Sequence, residues 1–423
     1  MTTGDLEKRQ LKPPRLVVFD VEGVLLPKRR YLPFEAAREL SFLRFVKILL
    51  TGFLYEIGLT SLESTLKRIF KMLEGITLDD LFQLYQKVPL IYGVEEVFKR
   101  LKQAGCKTAL ISSGLPQPFV EALASRLNAD YAYGLVLEVA NNRLTGEISG
   151  LVIKSEGKAI VLKEILDAEG LTPQDCAVVV DDRNNLPMFP FCSLQIGYNP
   201  DFLLSIKSDA VIRGELTEIL LPLKVETSTR LHSSISKDMA IREAIHMSGV
   251  LVPFISIYFL TPFMATFLIF IVTLLYITSE FARIEGIKFP VISAITRQAA
   301  TKPEFHEFVT APIFFATGIM LALFLFPEPI SYASIAIFAL GDGTATLFGR
   351  KLGRKVFPFN KGKMIEGTIF GFIFALLGAL FFLRDPLKAL IGAAIGMLME
   401  ALPTPISDNL TIPLTSGLVL MIL

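Results

Sequence analysis

Seven apolar stretches, at 244–260, 262–279, 308–326, 330–348, 365–383, 387–402 and 410–423, occupy most of the chain beyond residue 243. Most approach the roughly 20 apolar residues that a helix needs to cross a bilayer, where backbone polar groups must be paired within the segment. This half is therefore expected to be a polytopic membrane domain of about seven spans. Composition agrees: 52% of the 423 residues are hydrophobic and the mean hydropathy is +0.53, too apolar for an ordinary soluble chain.

The first half has a different rhythm. Short β-rich runs at Leu16–Phe19, Thr108–Ser112, Ala177–Val180 and Ser193–Ile196 alternate with helical stretches, as in a parallel α/β sheet. The polar, Ser/Thr-rich VETSTRLHSSISK at 225–237 lacks any apolar period and reads as a linker. The expected division is a soluble domain over 1–222, a linker over 223–237 and a membrane domain over 238–423.

Lys plus Arg number 42 against 41 acids, so net charge gives no argument for a nucleic-acid partner. Cys106, Cys176 and Cys192 include no CxxC pair, which suits a reducing compartment, and Cys106 and Cys176 read as core thiols. The opening MTTGDLEKRQLKPPR has no apolar core, so no cleavable signal peptide is expected. Residues 349–364 contain Arg350, Lys351, Arg354, Lys355, Lys361 and Lys363 with no acid, a cytoplasmic marker. With seven spans, the N-terminal domain and the loops 280–307, 349–364 and 403–409 all face the cytoplasm of a multi-pass protein in the cell membrane.

The run VVFDVEGVL ends an apolar strand at Asp20, followed by Glu22 and Gly23. An open α/β sheet presents its ligands at the C-terminal ends of its strands, and an aspartate nucleophile divides hydrolysis into two easier steps. ALISSG places Ser112 and Ser113 after another strand, KSEGKAIVLKEIL carries Lys158, and VVVDDRNNL supplies Asp181, Asp182, Asn184 and Asn185.

This set resembles the motifs of the haloacid dehalogenase (HAD) superfamily. The helical insert at about 28–95 and the stretch NNRLTGEISG resemble its phosphoserine-phosphatase-like branch, with a helical cap. The resemblance implies Asp20 as nucleophile, Glu22 as acid/base group, and Ser112, Ser113 and Lys158 as phosphate contacts. It also implies an Mg²⁺ site of Asp20, Asp181, Asp182 and the Glu22 carbonyl, with Asn184 and Asn185 beside it and a phosphomonoester as substrate.

Two positions depart from the pattern: Glu22 replaces Asp, and Asn185 stands where many members have an acid. One added methylene displaces the acid/base group by about 1 Å, a shift that can cost about a hundredfold in rate. A domain that binds phosphate or regulates therefore stands beside hydrolysis as a reading. A P-type ATPase would need a DKTGT loop, which is absent.

ALGDGTATLFGRKLGRKVFPFNKGKMIEGTIFG, at 339–371, begins inside an apolar span. An intramembrane acid such as Asp342 is a functional candidate by default. Gly341 and Gly343 are expected to let the backbone approach a ligand, and the cations that follow suit a triphosphate. With Lys363, Glu366 and Gly367, the segment resembles the GDxxAxxxGRxxG and K(S/T)xEG elements of the CTP-dependent polyprenol kinases, the dolichol and phytol kinase family. Met364 replaces the Ser/Thr of that pattern.

REAIHMSGVLVP, with Arg242 and His246 on one helical face, resembles the family's opening RKxxH segment. TSEFARIEG, with Glu280 and Arg283, resembles the end of its second span. MEALPTPISDNLTIPL, with Glu400, Asp408 and Asn409, resembles its closing element.

The expected fold is an α/β Rossmann-like HAD domain with a helical cap, followed by an all-α membrane domain. The membrane half is expected to transfer phosphate from CTP to a long-chain isoprenoid alcohol. Arg350, Lys351, Arg354 and Lys363 would hold the nucleotide and Asp342 the Mg²⁺, while Asp408 or Glu366 accepts the alcohol proton. CTP rests on the resemblance alone. A CDP-lipid synthase, using the same donor on a phospholipid acid, is the alternative.

Overall fold

The computed structural model describes residues 13–27, 47–48, 50–52, 54–55, 59–225, 237–284, 309–404 and 406–423. The chain divides into two compact units, Gln10–Thr227 and Ser228–Leu423. Most of the expected linker, residues 226–236, lies outside the described residues, as do 1–12, 285–308 and 28–46 of the expected cap.

The first unit is built on a seven-stranded sheet. β1 (Leu16–Asp20) is followed by helices α1 (Leu62–Lys71), α2 (Leu78–Lys87) and α3 (Val94–Gln103), then β2 (Lys107–Pro116) and α4 (Gln117–Leu127). β3 (Tyr131–Ala140), β4 (Arg143–Ser149), α5 (Gly157–Glu169), β5 (Cys176–Val180), β6 (Leu194–Tyr198), α6 (Phe202–Lys207) and β7 (Ala210–Ile212) complete it. The strand order is β4-β3-β2-β1-β5-β6-β7, parallel except for the antiparallel β3–β4 pair.

LVVFD and CAVVV are buried at every position, as continuous apolar runs must be when both faces of a strand are covered. β1 lies between β2 and β5, so the chain leaves it in opposite directions along the sheet. The resulting crevice at the strands' C-terminal ends is where such sheets bind ligands. The β3–β4 hairpin was not expected from the sequence; Asn141 and Asn142 turn it at φ 52 and 60, the left-handed conformation such turns demand.

In the second unit, α7 (Lys237–Met247) runs through a 3₁₀ turn into α8 (Leu251–Tyr258). α9 (Pro262–Ile284), α10 (Ala311–Leu325), α11 (Ile330–Leu352), α12 (Ile365–Phe382), α13 (Pro386–Ala401) and α14 (Asp408–Ile422) follow. Among the described residues the apolar stretches are helical, and four helices have the length and apolarity for a crossing: Met239–Tyr258, Pro262–Arg283, Ile330–Leu352 and Ile365–Phe382.

α11 and α12 meet through small residues. A Cβ on Gly367 would lie 2.5 Å from the Ala345 carbonyl oxygen, and one on Gly371 would lie 2.7 Å from that of Gly341. Gly341, Ala345 and Gly349 thus face Gly367 and Gly371 at four-residue spacing, the close-approach geometry of membrane helices.

Candidate active sites

In the first unit Asp20 ends β1 and is buried. Its Oδ1 accepts the Val21 amide at 2.8 Å, and its Oδ2 lies 2.8 Å from Lys158 Nζ and accepts Asn185 Nδ2 at 2.6 Å. Lys158, second residue of α5, also donates to Asn185 Oδ1 at 2.9 Å. Burial disfavours its ammonium, but Asp20, Asp182 and Glu22 outweigh that and hold the amine above its ordinary range. Asn185 therefore donates to Asp20 and accepts from Lys158 at once, which an ionised acid at this position could not do.

The ligand oxygens of Asp20, Asp181 and Asp182 lie within 4.8 Å of one another. An all-oxygen carboxylate set suits Mg²⁺. Gly23 preserves that space: at φ +82 it takes a conformation that favours glycine, and a Cβ there would sit 2.1 Å from Asp181 Oδ2. The acidic loop is braced by Asp201, whose amide donates to the Asp181 carbonyl at 2.9 Å and whose Oδ2 accepts the Arg183 amide at 2.8 Å.

Ser112 Oγ lies 2.9 and 2.8 Å from the two Glu22 carboxylate oxygens and accepts the Leu115 amide at 2.8 Å. Burial, and then the neighbouring Asp20, push the Glu22 carboxyl up to about 7, the range in which it can carry a proton to a leaving group at neutral pH. Ser113, expected to contact phosphate, instead donates its hydroxyl to the Val152 carbonyl at 2.6 Å. The sequence also gave no warning of Tyr55: its hydroxyl bonds Asn184 Oδ1, its carbonyl accepts Arg183 Nη2 at 2.8 Å, and its ring lies 5.3 Å beneath the Arg183 guanidinium.

In the second unit the structure gathers Asp342, Lys363, Glu400, Asp408, His246 and Asn409. Lys363 Nζ donates to Glu400 Oε1 at 2.7 Å and Asp408 Oδ2 at 2.9 Å, with Asp342 Oδ1 at 3.9 Å. Burial opposes the charge, yet Asp408, Glu400 and Asp342 raise the Lys363 ammonium well above its usual range. Thr368 Oγ1 donates to Glu400 Oε2 at 2.9 Å. His246 Nε2 stands 3.4 Å from Asp342 Oδ2 and 3.2 Å from Asn409 Oδ1.

Several expectations are corrected. Asp342 lies midway along α11, and Gly341 and Gly343, expected to let the backbone approach a ligand, belong to continuous helix. A Cβ at Gly341 would meet Met397 Sδ at 2.7 Å and one at Gly343 would meet Met247 Cγ at 2.6 Å, so these glycines serve helix packing and not ligand approach. Glu366 stands apart from the acid cluster; its Oε2 accepts the Arg354 and Lys355 amides at 3.0 and 3.2 Å and so shapes the basic loop. Arg350 is half-buried, while the Lys351 and Arg354 side chains are exposed.

Glu280 and Arg283 pair with each other at 2.8 Å, and Glu280 accepts the Val309 amide at 3.1 Å, bracing the start of the segment before α10. Arg242 is half-buried beside Glu243, a buried acid that sequence reasoning passed over although an acid in an apolar span is itself a signal.

Residues 17–190 match the model of the haloacid dehalogenase-like hydrolases. A phosphoserine phosphatase of Archaeoglobus fulgidus is 32% identical over 202 residues, 48% of this chain and 57% of that protein. A probable phytol kinase 3, chloroplastic, of Glycine max is 33% identical over 133 residues, 27% of this chain and 42% of that protein. The chain thus spans about half the length of these two relatives. A solved structure of a phospho-aspartyl intermediate analogue of phosphoserine phosphatase aligns with TM-score 0.45 and 25% identity, covering 50% of this chain and 98% of that one.

Proposed function

From the premise that residues 17–190 are a haloacid dehalogenase-like hydrolase domain of the phosphoserine-phosphatase type, we propose that the chain joins an Mg²⁺-dependent phosphomonoesterase to a CTP-dependent isoprenoid-alcohol kinase. The N-terminal unit is read as cytoplasmic and the kinase site as opening on the cytoplasmic face of the cell membrane.

In the hydrolase, an Asp20 carboxylate oxygen attacks phosphorus as the ester P–O bond breaks, and Glu22 gives its proton to the departing oxygen. Glu22 then removes a proton from the water that hydrolyses the aspartyl phosphate, regenerating Asp20. Lys158 and Ser112 face the phosphoryl oxygens, with Asn185 fixing Lys158 against Asp20. Mg²⁺ bound by Asp20, Asp181, Asp182 and the Glu22 carbonyl would supply charge neutralisation for the phosphoryl group.

For the membrane unit, the observation that carries the reading is the convergence of Asp342, Glu400 and Asp408 on Lys363 where the basic loop meets the helices. Phosphoryl transfer asks chiefly for positioning and charge neutralisation. Arg350, Lys351, Arg354 and Lys363 contact the triphosphate, Asp342 would hold its metal, and Asp408 accepts the proton of the alcohol. Glu366, engaged by loop amides, organises the loop instead of sharing that role.

The test incubates the purified full chain with CTP labelled at the α or γ phosphate and a panel of isoprenoid alcohols and phospholipid acids. γ label in the prenol supports the kinase. α label in a phospholipid acid establishes the CDP-lipid synthase in its place. Asp342→Asn should abolish transfer while leaving hydrolysis of a soluble phosphomonoester intact.

A further inference from the structure

We propose that the N-terminal unit docks the rim of its catalytic site on the bilayer, and that its substrate is a phosphomonoester of a membrane lipid. The substrate class deepens the phosphomonoesterase reading and rests on it, whereas the docking surface stands on its own geometry.

The loop that carries Asp181 and Asp182 is held from two sides. On one side the Asp201 amide donates to the Asp181 carbonyl at 2.9 Å, and Asp201 Oδ2 accepts the Arg183 amide at 2.8 Å. On the other the Tyr55 carbonyl accepts Arg183 Nη2 at 2.8 Å, and the Tyr55 hydroxyl bonds Asn184. Both segments turn apolar side chains to solvent. α6 begins at the residue after Asp201 and leaves Phe202, Leu203 and Ile206 39%, 40% and 42% exposed. Leu50 and Leu59, on either side of Tyr55 in the sequence, are 58% and 70% exposed. Apolar side chains gathered beside a polar catalytic loop mark a surface that meets an apolar partner.

Two observations make that partner the bilayer. The first is the tether. Residues 226–236 join Val225 to the helix that begins at Lys237, and the candidate span Met239–Tyr258 follows at once. Eleven residues reach at most ~40 Å, so a lipid surface is the apolar phase always within range. The second is charge. Lys47, three residues before Leu50, and Lys207, next to Ile206, are exposed. The acids that bracket α6 are turned inward: Asp201 Oδ1 accepts the Leu204 amide at 2.8 Å, and Asp209 Oδ2 accepts the Gln195 amide at 3.1 Å. Apolar side chains edged by lysines suit an anionic membrane interface.

A lipid phosphate reaches such a rim by lateral motion, its phosphoryl group turned to Asp20 and its chain left among the apolar side chains. Water remains the co-reactant, and the products are the lipid alcohol and inorganic phosphate.

The chain contains no tryptophan, so Phe202→Trp and Leu59→Trp each place a single indole on the rim. In the full chain in nanodiscs, lipids brominated along their acyl chains should quench both. Hydrolysis is compared between a long-chain isoprenyl monophosphate in the nanodisc and p-nitrophenyl phosphate in solution. Leu203→Glu combined with Ile206→Glu, and separately Leu59→Glu, should lower kcat/KM for the lipid phosphate by more than about tenfold. Turnover of p-nitrophenyl phosphate should stay at the parent rate, which shows that the unit is folded. Unquenched indoles overturn the proposal, and a blue-shifted but unquenched indole would assign the surface to a protein partner in its place. Glutamate variants that hydrolyse the lipid phosphate as the parent does, or a parent that prefers O-phosphoserine to it, refute the substrate class. Quenching in a chain that hydrolyses no phosphomonoester would uphold the docking and refute the hydrolase.

Discussion

Glu22→Gln should alter how the stability of the N-terminal unit depends on pH. Burial, then Asp20, raise the Glu22 carboxyl from 4.5 to about 7. Between those values the folded chain keeps a proton that the unfolded chain has released. The group therefore favours folding fully below about 4.5, and that contribution is lost as pH rises through about 7. The gap between 4.5 and about 7 corresponds to about 3 kcal/mol, since each pH unit is worth about 1.4 kcal/mol. Glutamine cannot titrate, yet its amide oxygen still accepts the Ser112 hydroxyl. The variant should match the parent near pH 4 and exceed it by about 3 kcal/mol at pH 8. Pulse proteolysis in urea of the nanodisc-embedded chain, in EDTA so that no metal alters the titration, reads the unit's stability at both pH values. Parent and variant curves that run parallel from pH 4 to 8 would refute the burial argument.

Asp20→Asn should abolish hydrolysis of p-nitrophenyl phosphate while the N-terminal unit keeps its protease resistance, and residual turnover at the parent rate would remove Asp20 from the nucleophile's role. Gly367→Val would press side-chain atoms against the Ala345 carbonyl and Gly349, at a cost of about 1–3 kcal/mol; a lowered thermal midpoint in detergent checks this. A cysteine at the exposed Lys355 should react with impermeant maleimide only from the cytoplasmic side, and labelling from outside intact cells would contradict the proposed orientation.

Much of the N-terminal unit was legible because its chemistry sits at fixed offsets from strand ends. Asp20 closes β1, Ser112 lies in β2, and Asp181 and Asp182 follow β5, so an apolar run followed by a polar residue marked each one. The β3–β4 hairpin was missed because Asn141 and Asn142 turn it without the glycine that usually advertises such a turn. Ser113 illustrates a second limit: adjacent residues on a strand face opposite sides, and the alternation sends one serine to Glu22 and the other to Val152. Tyr55 could not be found because its partners, Arg183 and Asn184, lie far along the chain and no local pattern links them.

In the membrane unit the sequence identified the charged residues but not which of them pair. It presented 349–364 as a run of similar cations, whereas folding gives its members different work. Glu366 gathers the Arg354 and Lys355 amides and leaves both side chains exposed, free to meet an incoming polyanion. Lys363 turns inward, where it is the shared counter-ion of Glu400 and Asp408 with Asp342 nearby. Removing one partner of a buried ion pair costs about 3–5 kcal/mol, because the other charges are left uncompensated. Lys363 must therefore hold the acid cluster together before it can contact a phosphate, and a nucleotide that draws it away has to bring positive charge with it. A metal-bound triphosphate meets that requirement, since its cation can take the place among the carboxylates that the ammonium gives up.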